Sequence, residues 1–350
     1  MSNLITTLPV TLDQALAPAW LTGALAPETG GAPVTGVEIV EVIRTVATKV
    51  RFTAACEAVP GGKLALCLKG FLDAEPQTMR GGSTTVLEAD FYRLLAPRLA
   101  IRRPPCVATI IDREAPLGIV IMRDLIAAGA RFCSALEPFS ADETAESLAQ
   151  LARLHAASGL LPELPWVKPR LPDFVKNQYV PKPVLQEMLN GPRGEGLCAR
   201  TRDAGLLLQA LAVLAERDAA WPSFLIHGDC HAGNIYRTAD GPGLIDWQIL
   251  QRGGWALDVA YHINAVLPVE VAEHEERRLL GHYLETMRGL GADMPDMETA
   301  WANYRVALVY GYYLWSITRR VDPAITNLFT QRLGHALMRH GSFRLLGCDL

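Results

Sequence analysis

The sequence predicts an α+β fold in two lobes, a small strand-rich amino-terminal lobe and a larger, mostly helical carboxy-terminal one. Three observations point there. From Val37 to about residue 71 the apolar period is short, near two, whereas after Asp124-Leu125 it lengthens to a helical one. The 350 residues are long for one core and comfortable for two lobes. Inside the helical half, the stretch LIHGDCHAGNIYRTADGPGLIDWQ at 225–248 sets a polar loop between short apolar runs.

The elements follow in order. Residues 1–36 are rich in Pro, Gly, Ala and Thr, with one helical turn near Leu12–Leu16, and read as an arm laid on the domain. The amino-terminal lobe, 37–124, opens with strands at about 37–44, 48–57 and 64–71, the last two joined through Gly61-Gly62. A helix at 84–95 and strands near 107–112 and 118–122 complete it. The second lobe takes 125–350. Ser140 with Glu143 three residues on is a capping box, opening a helix whose Ala145, Leu148, Ala152 and His155 share a face. A second helix spans about 202–217, with Leu206, Leu207, Ala210, Leu211 and Leu214 as its buried stripe. A short strand at 224–227 leads into the polar loop, and a hairpin turning at Asp240-Gly241 ends near Ile245. From Trp255 the chain reads as four or five helices.

Composition narrows the functional classes. Half the residues are apolar, so a sizeable core is assured, and a net charge of -4 with pI near 6.1 argues against nucleic-acid or membrane-surface partners. Seven cysteines without a CxxC pair suit a reducing cytosol better than a disulfide framework. No charged leader precedes Arg44, the first basic residue, and no apolar run approaches the roughly 18 residues of a membrane span. The expectation is a soluble, cytoplasmic protein.

Its chemistry concentrates at 225–248. Phosphoryl transfer needs a carboxylate near the attacking hydroxyl and hard oxygen ligands for a metal. His227-Gly228-Asp229 stands five residues ahead of Asn234, and the hairpin returns the chain to Asp246-Trp247-Gln248. Asp229 would accept the hydroxyl proton, His227 would brace the loop, and Asn234 and Asp246 offer oxygens that suit Mg²⁺ better than zinc. A zinc site from His227, Asp229, Cys230 and His231 is disfavoured, because neighbours on one loop cannot all turn toward one ion. Cys230 lacks an assignable base, and His155, on an apolar helix face, reads as a satisfied core histidine.

HGDCHAGN followed by IDWQ resembles the catalytic loop and metal-binding segment of the aminoglycoside phosphotransferase and choline kinase-like superfamily, which has the protein-kinase-like bilobal fold. The DWQ ending and GWALDVAYHI look most similar to its ecdysteroid-kinase-like branch. The resemblance covers about 37–345 and is specific only over 225–262. It implies Asp229 as the catalytic aspartate, Asn234 and Asp246 as magnesium ligands, and Asp258 as an aspartate that steadies the loop. It further implies a phosphate-binding lysine paired with a helix glutamate. Lys69, ending the apolar strand LALCLKGF, is preferred to Lys63, and Glu88 to Asp90. Where protein kinases carry a glycine-rich loop, residues 44–48 read Arg-Thr-Val-Ala-Thr, leaving backbone N–H groups and the hydroxyls of Thr45 or Thr48 for the phosphates. IVIMRDL resembles the inter-lobe hinge, where adenine would meet main-chain groups of Ile121, Met122 and Arg123.

The implied activity is ATP- and Mg²⁺-dependent phosphorylation of a small-molecule hydroxyl. Two alternatives stand beside it, an aminoglycoside-type antibiotic kinase and a nucleotide-binding pseudokinase without turnover. The presence of Lys69, Asp229, Asn234 and Asp246 together favours catalysis. Residues 259–350 hold ten acidic residues against nine arginines, so the carboxylate excess expected for a polycationic acceptor is missing. Trp301, Tyr304, Tyr310, Tyr312, Tyr313 and Trp315 crowd one helical segment as core packing; any that line a pocket would suit a neutral or lipophilic alcohol.

Overall fold

Strand alternation in the first hundred residues becomes an antiparallel sheet. The computed structural model describes residues 8–75 and 81–348, and the chain divides into two compact units. The first comprises the residues up to Leu99, Arg103–Arg131 and Ile245–Ile249; the second comprises Ala100–Arg102, Phe132–Leu244 and the residues from Leu250 on.

In the first unit, β1 (Gly36–Arg44), β2 (Thr48–Ala55), β3 (Lys63–Gly70), β4 (Cys106–Asp112) and β5 (Leu117–Arg123) form one sheet in the order β1-β2-β3-β5-β4. Period-two patterning decides which side chains go where. Val50, Phe52 and Ala54 of β2, with Leu64, Leu66 and Leu68 of β3, face one core. Residues 8–35 supply the other side of that core. They fold as α1 (Leu12–Ala15), α2 (Pro18–Ala24) and α3 (Ala26–Thr29), and Leu16, Leu21 and Leu25 pack against the sheet. Residues 8–35 thus hold two more helices than composition suggested.

The opposite face of the sheet carries Lys49, Lys69, Val120 and Met122, because Lys49 is registered against Lys69, and Lys69 against Val120. Helix α4 (Ser83–Asp90) packs on β5 near Gly118, where a Cβ would come within 2.4 Å of the Thr85 carbonyl oxygen. Only glycine permits that approach. The helix expected to reach residue 95 is α4 followed by one wider turn, Phe91–Leu95. The separate segment Ile245–Ile249 joins this unit, and its Trp247 ring stacks on Phe91 with centroids 3.9 Å apart.

After β6 (Arg131–Phe132) the chain enters the second unit. Its first long helix, α5 (Ala141–Ala156), has the capping box read from sequence, with the Glu143 N–H donating to Ser140 Oγ and Glu143 Oε2 accepting from the Ser140 N–H. Helices α6 (Leu171–Asn177) and α7 (Lys182–Asn190) lead to α8 (Ala204–Ala220), on which Leu207, Ala210, Leu211 and Leu214 are buried. Strand β7 (Phe224–Ile226) pairs antiparallel with β10 (Gln251–Gly253). Between them, β8 (Ile235–Thr238) and β9 (Gly241–Leu244) form a hairpin with Ala239 and Asp240 at its tip. Helix α9 (Trp255–Val266) is buried along its whole length. α10 (Val269–Gly289), α11 (Met297–Ile317), α12 (Pro323–His340) and α13 (Ser342–Leu345) complete the unit. Among the described residues no helix is long and apolar enough to cross a membrane, and all seven cysteines are free.

Candidate active site

The residues singled out from sequence gather in two clusters, one in each unit. In the first unit, β3 ends on Lys69, a lysine only 4% exposed. Burying an ammonium is costly unless carboxylates meet it. Two do: Glu88 of α4 lies 2.8 Å and Asp246 of the 245–249 segment 2.8 Å from Lys69 Nζ. Burial pulls the Lys69 amine down, but the Asp246 and Glu88 charges outweigh it and hold its pKa above the ordinary lysine value. Burial in turn keeps the Glu88 carboxyl above its usual range, against the pull of Lys69. The Trp247 N–H also donates to Glu88 Oε1 at 3.3 Å, so the glutamate is fixed from both sides. Lys63, the rival lysine, is exposed, and Asp90, the rival to Glu88, pairs with Arg93 and Arg113 instead.

Asp246 adopts φ 65°, a left-handed conformation uncommon for a residue with a side chain. Its other oxygen, Oδ2, lies 4.0 Å from Lys49 Nζ. The hydroxyls at the β1–β2 turn are engaged internally, Thr45 donating to the Ala47 carbonyl (3.0 Å) and Thr48 to that of Leu72 (2.9 Å). Of the residues expected at the adenine, Met122 is on the Lys69 face, while the Ile121 side chain points into the arm-side core. The Arg123 N–H donates to the Pro105 carbonyl (2.9 Å), and its guanidinium pairs with Glu28 of α3.

In the second unit, a buried carboxylate shapes the polar loop. Asp258, on the first turns of α9, accepts hydrogen bonds from the His227 N–H (2.7 Å) and the Gly228 N–H (2.8 Å). His155 Nε2 lies 3.1 Å from the same carboxylate, and His155 Nδ1 is 2.7 Å from the Tyr283 hydroxyl. Burial pushes the Asp258 carboxyl up, but His155 and the loop amides outweigh it and hold it below the usual carboxylate range. The aspartate expected to steady the loop therefore does so through main-chain amides, with the core histidine as its partner. Gly228 has φ 82°, which turns its N–H to Asp258 while its carbonyl accepts from the Tyr310 hydroxyl at 2.6 Å. His227 is fully buried and its Nδ1 accepts from the Asp229 N–H (3.2 Å), bracing the loop from inside.

Asp229 follows this pinned turn with its side chain 30% exposed. The Asn234 amide donates to its carbonyl (2.8 Å) and to its Oδ2 (3.1 Å). The Asn234 Oδ1 takes no donor among the described residues and remains a hard oxygen. The Tyr261 hydroxyl donates to Asp229 Oδ1 at 3.0 Å, and the Trp315 indole N–H donates to that hydroxyl at 2.6 Å. Since an indole N–H can only donate, the tyrosine oxygen is its acceptor and the phenolic proton is directed at the carboxylate. His231 lies 3.6 Å from Asp229 Oδ2 with its ring edge-on to Trp315 and Phe329. Cys230 is fully buried, its thiol 3.1 Å from the Asp258 carbonyl, and burial pushes its pKa well up, which leaves it no nucleophilic character.

Sequence reading missed Tyr261 and the part played by Trp315. Tyr261 lies three residues beyond Asp258 on one face of α9, a spacing that could have drawn attention to it. The crowded aromatics are core, as Tyr304, Tyr310, Tyr312 and Tyr313 are at most 1% exposed, yet Trp315 reaches the loop from the same helix. Asn234 in the second unit and Asp246 in the first each carry a hard oxygen of the kind magnesium takes, and neither is a thiolate or an imidazole.

Comparison with known proteins bears on this arrangement. Residues 83–293 match the model of the phosphotransferase enzyme family, from α4 to beyond α10. A choline kinase from Cryptosporidium parvum Iowa II is similar in structure with a TM-score of 0.53 at 14% identity, covering 90% of this chain and 91% of that one. A choline/ethanolamine kinase family protein from Mesorhizobium loti gives 0.50 at 15% identity, covering 94% and 97%. An ethanolamine kinase from Plasmodium vivax gives 0.50 at 13% identity, covering 88% and 82%. No curated protein matches the sequence. The ecdysteroid-kinase-like branch is not singled out by these likenesses, which extend to the protein-kinase-like fold. With most of its length matched by the family model, the chain belongs to the phosphotransferase enzyme family.

Proposed function

We propose that the protein transfers the γ-phosphoryl group of Mg-ATP to a hydroxyl of a small, neutral or lipophilic alcohol. The observation that carries this reading is the pinned loop that presents Asp229. Its backbone is tied to a buried carboxylate, both its oxygens are engaged by donors, and it is still open to solvent. A carboxylate so oriented can hold an acceptor hydroxyl in line without reorganising. As the acceptor oxygen bonds to the γ-phosphorus, its proton passes to Asp229. The bond from that phosphorus to the bridging oxygen breaks, and its electron pair leaves with ADP. Lys69, held by Glu88, is suited to the nucleotide phosphates, with the face bearing Val120 and Met122 toward the base. Asn234 and Asp246 are the side chains that would hold magnesium, which when bound would neutralise charge on the phosphate oxygens.

Two features support an uncharged acceptor. Asp229 is met by Tyr261, Asn234 and His231, with Trp315 and Phe329 against the His231 ring, and these side chains are aromatic or amide rather than carboxylate. The carboxy-terminal helices carry no acidic excess. The test is ADP release from Mg-ATP over a panel spanning aliphatic alcohols, sterols, amino alcohols and aminoglycosides. Turnover above the water background on a neutral alcohol supports the proposal. Bound Mg-ATP with no turnover on any member would leave a non-catalytic nucleotide-binding protein.

A further inference from the structure

Lys49 is the cation that the site described so far does not use. Antiparallel register sets it directly opposite Lys69, so two ammonium groups occupy adjoining positions on one face of the sheet. Like charges in such a pair repel, and the arrangement persists only where anions collect between them. Lys69 is satisfied by two carboxylate contacts at 2.8 Å. Lys49 is not: its one ion pair among the described residues is with Asp246 Oδ2 at 4.0 Å, beyond hydrogen-bond range, and its side chain is 30% exposed. Three N–H donors on a partly desolvated ammonium are thus left for something outside the chain.

The turn beside it offers little else to an anion. Thr45 and Thr48 direct their hydroxyl protons to main-chain carbonyls, and Arg44 leans toward Asp73 at 3.6 Å. Arg51, the next residue along β2 on the same face, is bound by Glu41 and Asp124. A cation that engages Asp246 would also compete for the carboxylate paired with Lys49.

We propose that Lys49 is a second phosphate-binding residue, standing beside Lys69 and doing by side-chain charge what a glycine-rich turn does with backbone amides. This rests on the reading that the Lys69 face receives the nucleotide phosphates. The ligand chemistry is a polyphosphate, to which each lysine contributes as a point charge.

Calorimetric titration of the full chain with Mg-ATP and, separately, with adenosine tests it without an acceptor. Lys49→Met should weaken Mg-ATP binding at least tenfold, leave adenosine affinity unchanged and flatten the salt dependence of ATP binding, while Lys49→Arg restores most of the loss. Thermal melting of both variants checks that the sheet is intact. Unchanged Mg-ATP affinity in Lys49→Met, with the wild type binding ATP well, would overturn the role of Lys49 and spare the kinase reading. A wild type that binds ATP no better than adenosine would overturn both.

Discussion

Asp218 is a carboxylate placed where the fold disfavours its charge, and replacing it by asparagine should stabilise the protein at neutral pH. It lies in the last turn of α8, where the helix dipole repels an anion, and it is only 7% exposed. Among the described residues one donor meets it, the Gly254 N–H at 2.7 Å. Burial pushes its pKa up from 3.8 to about 6. Because the folded state holds the proton more tightly than the unfolded chain, stability falls as pH rises between those two values. The penalty is absent below 3.8 and complete above about 6. A rise of about two pKa units corresponds to ~3 kcal/mol. Asp218→Asn keeps an oxygen for the Gly254 N–H and removes the charge, so it should gain up to about 3 kcal/mol at pH 7.5 and less than about 1 kcal/mol at pH 4. Denaturant unfolding of both proteins at the two pH values measures this directly. An equal difference at both, or a less stable Asp218→Asn at pH 7.5, would refute the reasoning. The residue matters to the site because Gly254 caps α9, the helix that carries Asp258 and Tyr261.

Other expectations are distinct in sign. Asp258→Asn sets an amide NH₂ against one of the two loop N–H donors and removes the charge facing His155, and should destabilise by about 3–5 kcal/mol. Since the Asp258 carboxyl titrates below its ordinary value, its stabilisation is present above about pH 4 and lost only as pH falls through the lower folded pKa; the loss in Asp258→Asn should therefore be alike at pH 6 and pH 8 by denaturant melting. Tyr261→Phe removes the donor to Asp229 Oδ1 and the acceptor of the Trp315 N–H, and should lower kcat about tenfold while the KM for ATP holds, at a cost of about 1–3 kcal/mol in stability by denaturant melting. Trp315→Phe should do the same, and the double variant should be no worse than either single one, because both act through one hydroxyl. Additive losses would break that chain.

Much of this was legible in the sequence where structure is local. Period-two alternation located the strands of the first unit, the capping box at Ser140 and Glu143 opened α5, and HGDCHAGN with IDWQ marked the loop. Lys69 stood out because a charged residue ending an apolar strand needs a partner, and Glu88 and Asp246 both provide one. What was not legible depends on register or on contacts across the chain. Nothing local says that Lys49 lies opposite Lys69, since the pairing of β2 with β3 fixes it. Trp315 reads as one more buried aromatic until α11 brings its indole N–H to Tyr261. Helices α2 and α3 were hidden by proline, glycine and alanine content, and they form because Leu21 and Leu25 find a sheet to cover. The segment between α5 and α8 has its own helices, α6 and α7, too short for a helical period to announce.

The central claim is that Asp229 accepts the acceptor proton. Mg-ATP affinity by calorimetry and phosphoryl transfer by ADP release, measured side by side for the wild type and Asp229→Asn, test it most directly. Asparagine preserves the size of the side chain and an oxygen for Tyr261, so ATP affinity should stay within about twofold while transfer falls roughly 10²–10⁴-fold. Transfer at the wild-type rate in Asp229→Asn would contradict the account, since no other carboxylate on the loop could take over its role.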